Sequence, residues 1–405
     1  MIENKEEKER VLLVAVETPE NHYSFQSSIE ELANLVDTAQ GEVVGQLLQN
    51  REKVDGRTMI GKGKVDELIA LIDETEADLV VFNNELGPRQ NQNLSDILGV
   101  KVIDRVQLIL DIFAMRASTR EGFLQVELAQ LRYLMPRLSG MGASLSRLGA
   151  GIGSRGPGES KLESDRRVIR HRIDIIKANL KENEKHRKLI RKDRLSSGVI
   201  KIGLVGYTNA GKSTTLNLMS DAHAYEEDQL FATLDPLTKS FQLPSGLKVT
   251  LTDTVGFIQD LPHQLIEAFK STLEEVAEMD LLLHVVDASD ENHHLHERVV
   301  DEILAEINAD KIPTLVVYNK ADLASSDFVR TKKDSILISA KDPASKELLG
   351  EYIEDTLKFL LEEFVVHLPI YEQYKIDGIK KDNLIFSEEF DEEKMEYTLK
   401  GYRKK

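Results

Sequence analysis

The chain reads as α/β, built on two mostly parallel sheets separated by helices, and three observations predict this. Apolar strand-like runs (VLLVAV, EVVGQLL, DLVVFN, VKVID) alternate up to about Ala117 with the helical patterns SIEELANLVDTA, KVDELIALIDE and RVQLILDIFAMRA. From Thr119 to Arg194 the strand signal stops. After Ser196-Ser197-Gly198 it resumes with IKIGLVG, LKVTLTD, LLLHVVD, TLVVYN and SILIS, runs apolar enough for a sheet covered on both faces. The expected organisation is a small N-terminal α/β domain over residues 1–118 and an antiparallel helical hairpin over 119–197. A larger domain on a mostly parallel sheet follows over 198–363, then a short α+β tail over 364–405.

Each element has a reason. The βαβα rhythm of the first part predicts strands joined by crossover helices. In the second, Leu124, Leu128, Leu131 and Met135 form one helical stripe. Ile169, Ile173, Ile176 and Leu180 form another, with Leu162 seven residues before Ile169. Two stripes flanking one loop predict helices that bury their seams on each other. Pro136 is expected to close the first helix and Glu159-Ser160 to open the second, leaving the glycine-rich Ser139–Ser160 as the tip. That tip contains Gly151-x-Gly153-x-x-Gly156, the spacing of a dinucleotide fingerprint. The fingerprint requires a strand feeding the loop; none precedes it, so the match is a decoy.

Composition narrows the classes. Cysteine is absent from the 405 residues, which excludes disulfides, thiolate metal sites and cysteine nucleophiles. MIENKEEKER has no apolar core of a signal peptide, and no apolar run approaches the roughly 20 residues that cross a bilayer. A cytoplasmic, monomeric protein without a membrane span is expected. The net charge of −18 is uneven. Between Gln130 and Ile200 there are 17 Lys and Arg against 7 Asp and Glu, while the remainder holds 35 against 63. A basic segment in an acidic chain suggests an acidic partner such as RNA, a solvated helix face being the plainer alternative.

The chemistry lies in four loops, each after a strand. GYTNAGKST (Gly206, Tyr207, Thr208, Asn209, Ala210, Gly211, Lys212, Ser213, Thr214) stands between IKIGLV and a helical segment. Its N–H groups can cradle phosphates at a helix N-terminus, Lys212 can reach the β- and γ-phosphates, and the Ser213 hydroxyl can ligate Mg²⁺. Asp253-Thr254-Val255-Gly256 would hold Mg²⁺ through water and touch the γ-phosphate with the Gly256 N–H. Asn319-Lys320-Ala321-Asp322 supplies a carboxylate for guanine N1–H and its 2-amino group, donors that adenine does not offer. Ser339-Ala340-Lys341 would meet guanine O6 through the backbone. Any one loop could be an ordinary turn; four in this order predict GTP as substrate and a P-loop GTPase domain. A threonine should close over Mg²⁺, and FATLDPLTK offers both Thr233 and Thr238.

With these residues in view, the chain resembles the HflX family of ribosome-associated GTPases. The likeness is carried by GKGKVDEL, IDRVQLILDIFAMRASTREGFLQVELAQLRYLMPRL, GPGESKLESDRR and FATLDPLTK, and runs from about Val11 to Ile370. It implies an N-terminal α/β domain, a hairpin and a GTPase domain, with Phe231, Ala232, Thr233, Leu234 and Asp235 at the nucleotide and Thr233 as the Mg²⁺ ligand. It further implies binding to the 50S subunit and 70S ribosome, the hairpin tip reaching 23S rRNA near the peptidyl transferase centre, and a role in splitting or rescue. Any membrane association would then be peripheral, through ribosomes. The alternative is a GTP-switched factor that matures 50S particles without splitting ribosomes. The chain departs from the family pattern at Gly149-Ala150, Ser154 and Ser160-Lys161, and in its short tail.

Hydrolysis raises a separate question. Lys212, Gly256 and Phe257 are the candidates nearest the reacting phosphate; Phe257 stands where many GTPases carry a water-orienting glutamine. A phenyl ring cannot hydrogen-bond water, so slow intrinsic turnover stimulated by the ribosome is expected, with Gln259 a lesser candidate for that role. Asn209 occupies the position at which potassium-activated GTPases bind K⁺. Gly61-Lys62-Gly63-Lys64 reads equally as a helix start or an anion site. His293, His294 and His296 of ENHHLHER read as solvated surface, since defined acidic metal ligands are missing around them.

Overall fold

The computed structural model describes residues 8–146, 157–195, 199–220, 230–231, 236–259 and 275–404. The described residues fall into two compact units, one running to Asn183 and one starting at Glu184.

The first unit is the expected βαβα array. Strands β1 (Arg10–Glu17), β2 (Glu42–Asn50), β3 (Leu79–Phe82) and β4 (Lys101–Asp104) form a parallel sheet in the order β2-β1-β3-β4. Helices α1 (Phe25–Thr38), α2 (Lys62–Thr75) and α3 (Pro88–Leu98) make the connections, and α4 (Arg105–Arg116) follows β4. Leu12, Val14, Val80 and Phe82 of the strands pack against Leu68 and Leu94 of the helices. Helix α3 has little apolar signal, burying only Leu94 and Leu98. Its start is written in polar terms: Pro88 at the first position, and the Gln90 side chain accepting the Gly87 N–H at 2.9 Å.

Helices α5 (Arg120–Ser146) and α6 (Pro157–Leu195) are the hairpin arms. Their seam is the predicted one: Leu124, Leu128, Leu131 and Met135 meet Ile169, Ile173, Ile176 and Leu180. Arg172 clamps Glu127 across it with two bonds of 2.6 and 2.8 Å. The helix ends differ from expectation. Pro136 does not close α5, which continues to Ser146, and α6 opens at Pro157. A mid-helix proline costs roughly 3 kcal/mol, and here its flanks are anchored. The Tyr133 hydroxyl donates to Asp104 at 2.8 Å, and Arg137 donates to Asp104 at 3.1 Å and to the Leu86 carbonyl at 2.7 Å. The decoy glycines 151, 153 and 156 lie outside the described residues.

The second unit holds β5 (Ile200–Gly206), α7 (Lys212–Ser220), β6 (Leu237–Gln242), β7 (Lys248–Asp253) and β8 (Leu281–Asp287). It continues with α8 (His293–Glu306), β9 (Thr314–Asn319), β10 (Ser335–Leu337) and α9 (Ser345–Lys358). The six strands lie in the order β10-β9-β8-β5-β7-β6, all parallel except β6, which runs antiparallel beside β7. Strand β6 has no clear sequence signature because it is an edge strand with Phe241 alone fully buried. The tail forms β11 (Glu362–Pro369), α10 (Ile376–Asp382), β12 (Leu384–Asp391) and β13 (Glu396–Arg403), an antiparallel sheet ordered β11-β13-β12. Leu384 joins it to the core of the six-stranded sheet. Among the described residues no helix is long and apolar enough to cross a membrane.

Candidate functional site

In the six-stranded sheet the chain goes from β5 to β7 on one side and returns to β8 on the other, so the strand order reverses beside the C-terminal end of β5. Such a reversal opens a crevice at the strand ends. All four predicted loops leave strands at that end.

The loop from Gly206 to Ser213 starts at Gly206 with φ 154° and turns back through Asn209 at 58° and Gly211 at 95°. At Gly211 a Cβ would lie 2.1 Å from Nδ2 of Asn319, so a side chain has no space. Asn319 explains the crowding: its amide donates to the Ala210 carbonyl at 3.0 Å and its oxygen accepts the Ala340 N–H at 2.8 Å. One side chain thus ties three of the four loops together. Lys212 is buried, donating to the carbonyls of Tyr207 at 2.8 Å and Gly206 at 3.3 Å. Burial pulls its ammonium down to about 8, against the opposing pull of Asp253. Polyphosphate at this position would supply the countercharge that burial removes.

Asp253 ends β7 and accepts the Ser213 hydroxyl at 2.6 Å. A hydroxyl and a carboxylate so placed form a hard-oxygen donor set suited to Mg²⁺, and the buried hydroxyl of neighbouring Thr208 has no hydrogen-bond partner. The residues therefore fit a nucleotide with its metal. Thr254 bonds back to the Leu204 carbonyl at 2.6 Å, and Val255 is buried beside it. Gly256 sits against the phosphate loop, where a Cβ would meet Nζ of Lys212 at 3.0 Å and Cγ2 of Thr208 at 2.9 Å.

Phe257, the residue after Gly256, turns its ring into the protein. Its ring is 1% exposed, and its backbone zips to the phosphate loop: the Phe257 N–H donates to Gly206 O at 3.1 Å and Phe257 O accepts from Thr208 at 2.8 Å. An aromatic ring gains more by leaving water than by lining a wet phosphate mouth. Thr238 lies in β6 with its hydroxyl 2.9 Å from that of Thr252, which gives it a place in a strand pair. Thr233, with Ala232, Leu234 and Asp235, falls outside the described residues; Phe231 is buried with φ at 56°.

The base side is a recess of about 300 Å³ lined by Asn209, Gly211, Thr214, Asn319, Lys320, Asp322, Leu323, Ser339, Ala340 and Lys341. The Ser339 hydroxyl donates to Asp322 at 2.6 Å and is the chief reason the carboxyl titrates below the usual range. Asp322 is thus ionised and ready to accept two donors. Ala321 bonds to the Ile338 carbonyl at 3.0 Å, and Lys320 pairs with Asp287 at 2.7 Å. Leu323, an exposed residue of the recess, carries no polar signal in the sequence.

Two other segments resolve. Gly61 caps α2 and donates to Gln49 at 2.9 Å, while Lys64 pairs with Glu67. The segment is a helix start. Among the described residues no cluster of His, Asp and Glu could hold a metal ion. The histidines nonetheless are not all solvated: His293 and His296 are half-buried against aromatic rings, and only His294 is exposed.

Comparison with known proteins agrees with this geometry. Three sequence-family models match: "GTP-binding GTPase N-terminal" over residues 26–114, "GTP-binding GTPase Middle Region" over 116–194, and "50S ribosome-binding GTPase" over 201–320. The chain is similar to GTPase HflX of Alkalihalophilus pseudofirmus, at 50% identity over 97% of this chain and 93% of that one. It is 49% identical to GTPase HflX of Caldanaerobacter subterraneus over 97% and 91% of the two chains. Against GTPase HflX of Escherichia coli the identity is 40% over 87% and 86%.

Proposed function

The chain belongs to the HflX family of GTPases, and on that premise we propose that it docks on the 50S subunit in its GTP-bound state and splits 70S ribosomes. It hydrolyses GTP on a domain of the 50S ribosome-binding GTPase type. The observation that carries the proposal is the joining of three of the four loops through Asn319, which makes phosphate and base recognition one unit.

In this reading Asp322 and the Ser339–Lys341 loop bind guanine, the Gly206–Thr214 loop holds the phosphates, and Lys212 neutralises them. Mg²⁺ would be held by Ser213 and Thr233, with Asp253 acting through water; when bound, it neutralises charge on the β- and γ-oxygens. Asn209 is the residue toward K⁺. The buried Phe257 ring cannot orient water, which supports a slow intrinsic rate raised when the large subunit orders the loop after Asp253.

The RNA contact is assigned to the hairpin. On α6, Arg167, Lys177 and Lys181 are exposed and make no ion pair among the described residues, whereas Arg170 and Arg172 are paired with Glu163 and Glu127. The first three therefore have charge available for 23S rRNA phosphates, with a salt-dependent affinity. The protein acts as a monomer in the cytoplasm, reaching membranes only with bound ribosomes.

Sedimentation of 70S ribosomes with the protein and GTP, a non-hydrolysable analogue or GDP tests this. Conversion of the 70S peak to 50S and 30S peaks with GTP or the analogue, and not with GDP, is the expected outcome. An intact 70S peak, with the protein bound only to immature 50S particles, would replace splitting with maturation.

A further inference from the structure

Helix α8 lies outside the four nucleotide loops, yet its first turn reaches the first of them. The His296 imidazole stacks on the Tyr207 ring with centroids 3.8 Å apart and an interplanar angle of 12°. Its Nδ1 lies 3.5 Å from Oδ2 of Asp290. The Tyr207 hydroxyl accepts the backbone N–H of Gln259 at 2.8 Å. Tyr207 is the second residue of the phosphate loop, and Gln259 lies six residues beyond Asp253, so a side-chain relay runs from α8 to the loop that must be in place for hydrolysis. The neighbouring Glu297 is buried and accepts the Tyr318 hydroxyl at 3.2 Å, Tyr318 being the residue before Asn319.

Beyond Thr254, the described part of the loop after Asp253 is held at points of different kind, Phe257 and Gln259. Phe257 is fixed through its backbone to Gly206 and Thr208, contacts that any side chain at 257 would allow. The Gln259 N–H is held by a side chain, that of Tyr207, whose ring stacks on His296. With the Phe257 ring buried, the second point is where side chains can set the loop's geometry over the phosphates. We infer that Tyr207 and His296 are positioning residues for GTP hydrolysis, holding the Gln259 backbone so that the loop is ordered over the γ-phosphate. The rest of this relay rests on the GTPase activity alone and is read without ribosomes.

The test uses the full-length protein with Tyr207→Phe, His296→Ala, His296→Phe and the Tyr207→Phe/His296→Ala double variant. Tyr207→Phe keeps the stacked ring and deletes only the acceptor, and a melting curve with GDP verifies that it folds. Tyr207→Phe and His296→Ala should each lower kcat about three- to tenfold, the range for one net hydrogen bond. KM for GTP and Kd for GDP should stay within about twofold of the parent, since no contact to nucleotide is removed. His296→Phe should recover most of the rate by restoring a stack, and the double variant should be no slower than the slower single one. The inference is overturned by an unchanged kcat in both single variants, by kcat and nucleotide affinity falling together, or by His296→Phe being as slow as His296→Ala.

Discussion

Both parallel sheets reverse strand order beside a strand that starts the unit, β1 in the first and β5 in the second, and they treat the resulting crevice in opposite ways. At the end of β1 most of the polar groups satisfy one another, Nε of Arg137 being an exception. Asn84 takes both the N–H and the carbonyl of Val16, at 2.8 and 3.1 Å. Asn83 bonds to Ser28 and to Arg105, and Arg105 is paired with the buried Glu31. Asp104 accepts from Leu86, Gln107, Tyr133 and Arg137. At the end of β5 the buried Thr208 hydroxyl lacks a partner, the Lys212 ammonium is carried in low dielectric, and Asp322 is exposed and ionised. One fold therefore serves two ends. Polar groups that complete each other's bonds contribute to stability, and groups left short of partners are available to a ligand.

The strongest break between the two should come at Asp322. Replacing Asp322→Asn substitutes a donor where guanine presents donors, and GTP affinity should fall by about two to four orders of magnitude. Affinity for xanthosine triphosphate, which has an acceptor at that position, should rise. The melting temperature without nucleotide should hardly change, because the side chain is exposed and makes one side-chain bond. Fluorescent-nucleotide titrations and a melting curve read both halves. A large loss of stability with intact GTP binding would place Asp322 in the first category.

Arg105→Met is the converse experiment, second in size. It strips Glu31 of its partner inside the first unit and should destabilise that unit by about 3–5 kcal/mol. Folded protein should bind GDP with unchanged affinity. Urea denaturation followed by circular dichroism, beside GDP titration, separates these outcomes, and a weakened GDP affinity in folded protein would contradict the division of labour.

How far the sequence foretells each region follows from the same difference. Periodicity names apolar seams because it depends on one property at fixed spacing, so all eight residues of the α5–α6 seam are readable. The four nucleotide loops are readable because their glycine, lysine and carboxylate positions stand at fixed offsets from strands. Helix α3 and strand β6 are not, since each buries few apolar residues and is held mainly by its neighbours. Pro136 misleads because local propensity favours a stop while Tyr133 and Arg137 anchor the helix on both sides. The stack of His296 on Tyr207 joins residues 89 positions apart, with no motif connecting them.

Lys212 belongs to both categories at once, and pH should separate them with the smallest effect. Its folded pKa of about 8, set by burial, lies below the value near 10.4 of an exposed lysine. Between those values the unfolded chain holds more protons than the nucleotide-free native protein, so this group makes native stability rise with pH. Binding moves the other way. Phosphate oxygens favour the ammonium and raise its pKa, so complex formation above pH 8 takes up a proton. GDP affinity should therefore weaken about tenfold between pH 7 and pH 9. Calorimetry in two buffers of different ionisation enthalpy reads the proton uptake directly, and the melting shift produced by GDP should shrink over the same range. Flat affinity with no uptake would mean that the ammonium is already fully compensated by the Tyr207 and Gly206 carbonyls, and that Lys212, like Arg105, has its partners within the chain.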